Sequence, residues 1–291
     1  MEIKNIICFG FGQVAKNFIK TINEQGVSFK LSTTSREVSK KKKFENINYE
    51  SFQFTEKSFD KNFISRFEEA DHILISIAPF NGGDIVVKNF QNYFKSKKIK
   101  WVTYLSATSV YGDHKGEWVD ESSETKPTSQ NGIERLKIEK EWMELATKFD
   151  LPFQIFRLSG IYSNKYNTLT RLKSGDSKIV NKKNHFFSRI HVEDVANVLS
   201  SSLNNFKKRA IYNISDNQPA SAEEVTMYGV KLLGIDRPKT IEINDLESGM
   251  LKNFYKDSKK VDNKKMKEFF NYKLKYPTYV EGLNYIFNNI I

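Results

Sequence analysis

One cysteine, Cys8, is all that 291 residues contain, so no disulfide framework can form and a reducing, cytoplasmic setting is expected. It sits inside an apolar strand-like run, where a thiol reads as inert packing. Long hydrophobic stretches are missing as well. The longest run, His72–Phe80, is far too short to span a bilayer, and no membrane partner is expected. The amino-terminal MEIKNIICFG lacks the charged-then-apolar layout of a secretion signal and reads straight into a strand. No set of His, Cys, Asp or Glu has metal-ligand spacing, so no metal is expected. Acidic residues are in deficit, 35 against 46 Lys and Arg, which leaves a net charge of +11. That balance suits nucleic-acid backbones when the cations cluster. Here they are spread along the whole chain. The densest run, SKKKKFEN at Ser39–Asn46, reads as a loop, and no recognition helix or aromatic-basic interleaving accompanies it. A nucleic-acid partner is therefore not expected.

What the chain does have is alternation. Apolar, β-branched segments at Ile3–Phe9, Phe29–Thr34, Ile47–Phe52, Ile73–Ala78, Trp101–Ser106 and Phe153–Leu158 read as strands. Val14–Gln25, Phe59–Glu69, Asp84–Lys97 and Gly132–Lys148 read as helices between them. This order predicts an α/β fold of Rossmann type, a doubly wound parallel sheet. Later, Ile190–Leu203 reads as a helix, Ala210–Ser215 as a strand and Ser221–Gly234 as a helix closed by its glycine; the tail from about Lys239 reads as loops and short helices. The expected division is a dinucleotide-binding core over residues 1–158, rejoined by 190–215. A smaller C-terminal substrate lobe would be built from 159–189 and 216–291.

The run CFGFGQVAKNF places Gly10-x-Gly12-x-x-Ala15 directly after a strand and at the opening of a helix. Gly10 permits the tight turn, Gly12 lets the backbone approach a pyrophosphate, and Ala15 keeps helix and strand close. The helix start, with Gln13 and Val14, offers N–H groups to the phosphates. At the end of the second strand, STTSRE supplies Thr33, Thr34, Ser35 and Arg36 where a reader of a ribose 2′-hydroxyl would be acidic. Arg36 can grip a 2′-phosphate with its planar fork, so NADP is expected ahead of NAD. The competing reading makes Arg36 a solvated surface residue and Glu37 the acid.

These segments resemble the extended short-chain dehydrogenase/reductase superfamily, specifically its NAD-dependent epimerase/dehydratase branch, over nearly the whole chain. GFGQVA resembles the dinucleotide turn, LSATSVYGD the fifth-strand segment, and FRLSGIYS the sixth strand and its turn. RIHVEDVANVL and YNISDNQPASAEEV resemble the segments that follow, and the tail is similar to a bacterial nucleoside-diphosphate-sugar epimerase-like subgroup. The resemblance implies a nicotinamide cofactor, with Ala78, Pro79, Ser106 and Arg135 joining the turn in holding it. It also implies a tyrosine acid–base, a lysine four residues later and a fifth-strand hydroxyl. Here Asn131 stands at the tyrosine position, Arg135 at the lysine position and Ala107 at the hydroxyl position, with Ser106 and Thr108 on either side. Asparagine hydrogen-bonds but does not exchange a proton near neutral pH, while Arg135 stays charged and can hold a ribose or a phosphate. Tyr-x-x-x-Lys does occur at Tyr93/Lys97, Tyr111/Lys115 and Tyr255/Lys259, against roughly two such matches expected by chance in a chain this rich in Tyr and Lys.

Replacement chemistry is sought in the loop VYGDHKGEWVDESS. His114, oriented by Asp113 or Asp120, and Tyr111 are the candidate proton carriers, with Thr108 as the hydroxyl. His191 is expected to support the site, Glu193 and Asp194 to cap a helix, and Arg157 and Arg189 to reach phosphates or salt-bridge partners. The expected function is an NAD(P)-dependent oxidoreductase, epimerase or dehydratase acting on a small polar or nucleotide-linked sugar. The alternative is a catalytically silent NADP(H) sensor. A homodimer built on the helices at Asp84–Lys97 and Gly132–Lys148 is expected of the family.

Overall fold

A computed structural model describes residues 3–79, 83–175, 177–246 and 255–290. Phe80, at the end of the apolar run, and residues 247–254, within the irregular tail, lie outside them. The chain runs β1 (Lys4–Phe9), α1 (Gln13–Glu24), β2 (Phe29–Ser35), β3 (Lys40–Phe44), β4 (Ile47–Gln53), α2 (Phe63–Glu69) and β5 (His72–Ile75). It continues through α3 (Ile85–Phe90), β6 (Trp101–Ala107), β7 (Trp118–Val119), α4 (Gln130–Phe149), β8 (Phe153–Leu158) and β9 (Gly160–Tyr162). Then come α5 (Thr168–Lys173), β10 (Ile179–Asn181), β11 (Arg189–His191), α6 (Val192–Ser201), β12 (Ala210–Ile214) and α7 (Ala222–Leu233). β13 (Thr240–Glu242), β14 (Lys260–Val261), α8 (Lys264–Phe270) and α9 (Tyr279–Asn289) close it. Among the described residues no helix is long and apolar enough to cross a membrane.

Eight strands form one sheet in the order β12-β8-β6-β5-β1-β2-β4-β3. β1 pairs in parallel with both β2 and β5, β2 with β4, and β5 with β6. Chain order therefore reverses between β1 and β5, the switch point at which doubly wound sheets open a crevice at their strand ends. The fold is the expected Rossmann type.

The chain divides into two compact units. The first comprises 1–106, 134–156 and 196–211, and the second 107–133, 157–195 and 212–291. In the first, Val14, Ala15, Phe18, Ile19 and Ile22 form the buried stripe of α1. An aromatic cluster fills the core: Phe9 packs edge-on against Phe63 at 5.5 Å, and Phe67 stacks on Phe90 at 5.2 Å. In the second, Tyr162, Leu169, Val225, Leu283 and Ile286 make a separate core. There α7 starts on Ser221, whose hydroxyl accepts from the Glu224 N–H, and ends on left-handed Gly234.

Four expectations are corrected. The lysine run is not a loop. Lys40–Phe44 is an edge strand, antiparallel to β4, with Lys42 opposite Tyr49 and Phe44 opposite Ile47. The segment read as one helix over Asp84–Lys97 is α3 followed by a 3-10 turn at Tyr93–Lys95, and the tightened turn leaves Phe90 and Phe94 both fully buried. The helix expected from Phe59 starts at Phe63, because Phe59 bridges to Phe54 and the Thr55 hydroxyl donates to the Ser58 carbonyl. Ile190–Leu203 is not helical throughout: Arg189–His191 pairs with Gly160–Tyr162, and the helix begins at Val192.

Candidate functional site

In the first unit the turn after β1 has the geometry a dinucleotide needs. Gly10 has φ +83°, and a Cβ there would lie 3.0 Å from Ser76 Oγ. Ser76 itself donates to the carbonyls of Phe9 and Gly10, both at 3.0 Å, which ties β1 to the segment after β5. The Gly10 N–H donates to Thr34 Oγ1 at 3.0 Å, so the end of β2 is fastened to the turn. Gly12 is exposed, with nothing within 4 Å of where a Cβ would stand. It begins α1 without a side-chain cap, and the first turn of that helix carries no acid, which leaves its N–H groups to an anion. Gln13 Oε1 is buried and unpaired. These residues fit a pyrophosphate.

Beyond Thr34, which is 1% exposed, Ser35 accepts from the Ser51 hydroxyl at 3.2 Å. Arg36 is exposed and has no hydrogen-bond or ion-pair partner among the described residues. Glu37 is different: Lys42 and Lys40 reach its Oε2 at 2.8 and 3.1 Å, and they hold its carboxyl well below the usual range, at about 2. Ala78 is exposed and Pro79 half-buried after β5.

On β6 and α4 the first unit also holds a buried polar group. The Ser106 hydroxyl donates to Glu139 Oε1 at 2.5 Å, both residues being buried, and Arg135 Nη1 donates to the Leu105 carbonyl at 3.1 Å. Glu139 stands four residues after Arg135, one helical turn on, and that spacing was the only signal in the sequence that could have found it. The Tyr104 phenol, buried nearby, is raised in pKa by burial, with the Arg135 charge opposing.

The second unit gathers the loop that follows β6. Residues Thr108–Tyr111 form a 3-10 turn. Tyr111 is fully buried; its hydroxyl donates to Asn213 Oδ1 at 2.8 Å and accepts from Arg157 Nη1 at 3.0 Å. The guanidinium also lies 4.9 Å from the ring centre. Burial pushes the phenol up to about 12, with Arg157 pulling the other way. Glu121 completes the group by accepting from the Asn213 N–H at 2.7 Å. His114 Nε2 lies 3.1 Å from the Tyr111 carbonyl and 3.2 Å from that of Glu124. Two acceptors at one nitrogen assign the proton to Nε2. Neither carboxylate expected to orient His114 does so: Asp113 accepts from the N–H groups of Lys115 and Ser258, and Asp120 from Ser122 and Ser123. Thr108 is half-buried, while Asn131 is exposed beside Gly132, whose absent side chain lets α4 start against the Ser109 carbonyl.

The other conspicuous residues of this unit have structural partners. Arg189 donates to the Phe187 and Ala220 carbonyls. Asp194 accepts from the Tyr272 hydroxyl and from the Lys275 and Tyr276 N–H groups, which fastens the tail. His191 is fully buried; it accepts the Glu193 N–H at Nδ1, and burial pushes it down to about 4. Lys259, which follows Tyr255 in the third Tyr-x-x-x-Lys match, donates to the Gly112 carbonyl. A cavity of about 260 Å³ is lined by Val180, Lys182, Lys183, His185, Ser221 and Tyr255, among others. Among the described residues no three His, Cys, Asp or Glu side chains are placed to hold a metal ion.

The model of the NAD dependent epimerase/dehydratase family matches residues 85–215. Similar solved structures include a functionally unknown conserved protein from Silicibacter pomeroyi DSS, 29% identical, with 98% of each chain covered and a TM-score of 0.81. A dTDP-glucose 4,6-dehydratase from Bacillus anthracis in complex with NAD is 16% identical over 99% of this chain and 96% of that one, with a TM-score of 0.76. A UDP-N-acetylglucosamine 4-epimerase from Bacillus cereus is 16% identical over 99% and 98%, with a TM-score of 0.75. At these two identities the likeness shows the fold. No curated protein matches the sequence.

Proposed function

We propose that the chain, whose residues 85–215 match the model of the NAD dependent epimerase/dehydratase family, is a member of that family, that it binds a nicotinamide dinucleotide, NADP(H) ahead of NAD(H), and that it acts as an oxidoreductase or epimerase on a small polar or nucleotide-linked sugar. The observation that carries this reading is the uncapped, acid-free start of α1 over open Gly12, with unpartnered Arg36 following the strand that Thr34 fastens to the turn. When bound, the cofactor supplies hydride transfer. The chain's own residues bind, orient and move protons. Arg135 holds a ribose or phosphate oxygen, and His114 is assigned the proton transfer. Thr108 and Asn131 hydrogen-bond a substrate oxygen. Lys183, in the cavity of the second unit, suits the phosphates of a nucleotide-linked sugar.

A second reading, a silent NADP(H) sensor, is favoured by a specific set of contacts. The Ser106 hydroxyl is committed to Glu139, the Tyr111 phenol is locked between Arg157 and Asn213, and Asn131 does not exchange protons. Titration with NADPH and NADH, followed by energy transfer from the tryptophans, tests the common part. NADPH should bind the more tightly, and Arg36→Ala should weaken it about tenfold or more while leaving NADH unchanged. Binding of neither nucleotide would sink both readings. Turnover of a nucleotide-linked sugar that vanishes in His114→Ala selects the enzyme. Tight binding without turnover of any such sugar selects the sensor.

A further inference from the structure

The segment that links β2 to β4 forms an antiparallel strand on the outer side of β4, and that strand is built onto the dinucleotide turn. Phe11, the residue between the two glycines, packs edge-on against Phe44 of β3 at 5.6 Å and against Tyr49 of β4 at 5.0 Å. Lys16, in the first turns of α1, reaches over the rings of Phe11 and Phe44 at 5.9 and 5.8 Å. The β3 register sets Lys42 opposite Tyr49 and Lys40 opposite Ser51. Because strand side chains alternate, Lys40, Lys42 and Phe44 share one face. Docking Phe44 on Phe11 therefore also fixes where the two lysines stand. From that face both ammonium groups close on Oε2 of Glu37.

Glu37 is the acid nearest the end of β2, and it follows Gly12 by about the interval at which a dinucleotide-binding fold places its reader of the ribose 2′-hydroxyl. A free carboxylate there would repel a 2′-phosphate. With both lysines present, the Arg36–Glu37–Lys40–Lys42 group carries two net positive charges; without them it would carry none.

Resting on the dinucleotide reading above, we propose that the β3–β4 hairpin sets cofactor choice. Lys40 and Lys42 neutralise Glu37, which removes it as a reader of the 2′-hydroxyl and leaves Arg36 to receive a 2′-phosphate. The lysines act as positioning residues, and the hairpin reaches the turn through Phe11, Phe44 and Tyr49. The probes are adenosine 2′,5′-bisphosphate and adenosine 5′-monophosphate, titrated calorimetrically against the full chain. The unmodified chain should prefer the bisphosphate. The double variant Lys40→Gln/Lys42→Gln should bind it about tenfold more weakly, with the monophosphate unchanged or tighter. Adding Glu37→Gln to that variant should restore most of the loss, because the unmasked acid is then gone. Glu37→Gln alone, which leaves the hairpin packing untouched, should hold or strengthen bisphosphate binding.

An unchanged double variant would overturn the hairpin's role while leaving the nucleotide reading standing. So would a loss that Glu37→Gln does not restore, since the lysines would then be direct phosphate ligands. Weaker bisphosphate binding by Glu37→Gln alone would overturn it as well. An unmodified chain that binds both probes equally would overturn the NADP preference itself, and the hairpin's role with it.

Discussion

At Tyr111 one hydroxyl serves two neighbours: it donates a hydrogen bond to Asn213 and accepts one from Arg157, with no solvent contact. A phenol held this way keeps its proton at neutral pH, and burial lifts it to about 12. Its neighbour is equally constrained, since Gly112 has φ +70° and a Cβ there would stand 1.9 Å from the Lys126 carbonyl oxygen. The residues VYGD therefore shape the loop through buried contacts. Tyr111→Phe should cost roughly 1–3 kcal/mol in denaturant unfolding, because Arg157 and Asn213 each lose a buried partner. Any pH-rate profile should keep its shape between pH 6 and 8; a profile that lost a limb in this variant would make the phenol a proton carrier after all.

Among the elements, β3 shows where sequence pattern stops being informative. Four consecutive lysines have low strand preference and no apolar alternation, so nothing local calls for a strand. The strand is specified from outside, by β4 beside it and by Phe11 under Phe44. The same limit hid the 3-10 turn at Tyr93–Lys95, which answers to the packing of Phe90 and Phe94, and the pairing of β11 with β9. By contrast α7 was legible at both ends, since Ser221 and Gly234 are local stop signals, and the glycine turn was legible because it lies between a strand and a helix. Contacts of long sequence separation, such as Ser106 with Glu139 or Glu121 with Asn213, leave no such mark. β3 is also the sheet's outermost strand, where charge discourages pairing with another chain. Lys41 and Lys43 lie exposed on the face away from Phe44. Lys41→Ile/Lys43→Ile should keep the fold yet produce concentration-dependent light scattering above that of the unmodified chain. Equal scattering at all concentrations would show that the lysines do not protect the edge.

At the scale of the whole molecule, buried titratable groups give stability a pH profile with two opposing limbs. His185 and His191, 2% and 0% exposed, are both pushed from 6.5 to about 4, burial being the main cause, with Lys182 adding to it at His185. Between those values the unfolded chain binds the protons that the folded chain refuses. Their contribution is therefore complete above pH 6.5 and falls as pH drops toward 4, by up to roughly 3 kcal/mol for each histidine. Asp216, 1% exposed, runs the other way. Burial lifts its carboxyl from 3.8 to about 8, with Arg189 opposing. The folded chain then holds a proton that the unfolded chain has released, so this contribution is present at low pH and is lost as pH rises toward 8. From pH 4 to 6.5 two histidines outweigh one carboxyl, and stability should rise by about 1.4 kcal/mol per pH unit. Above 6.5, of these three groups only the carboxyl still acts, and their combined contribution should decline. Thermal or denaturant unfolding measured from pH 4.5 to 8.5 should therefore peak near pH 6.5. Asp216→Asn should flatten the alkaline decline and steepen the acid limb, while His191→Gln should make the acid limb shallower. A profile that stayed flat through pH 6.5 in the unmodified chain would show that these three groups do not titrate as their burial requires.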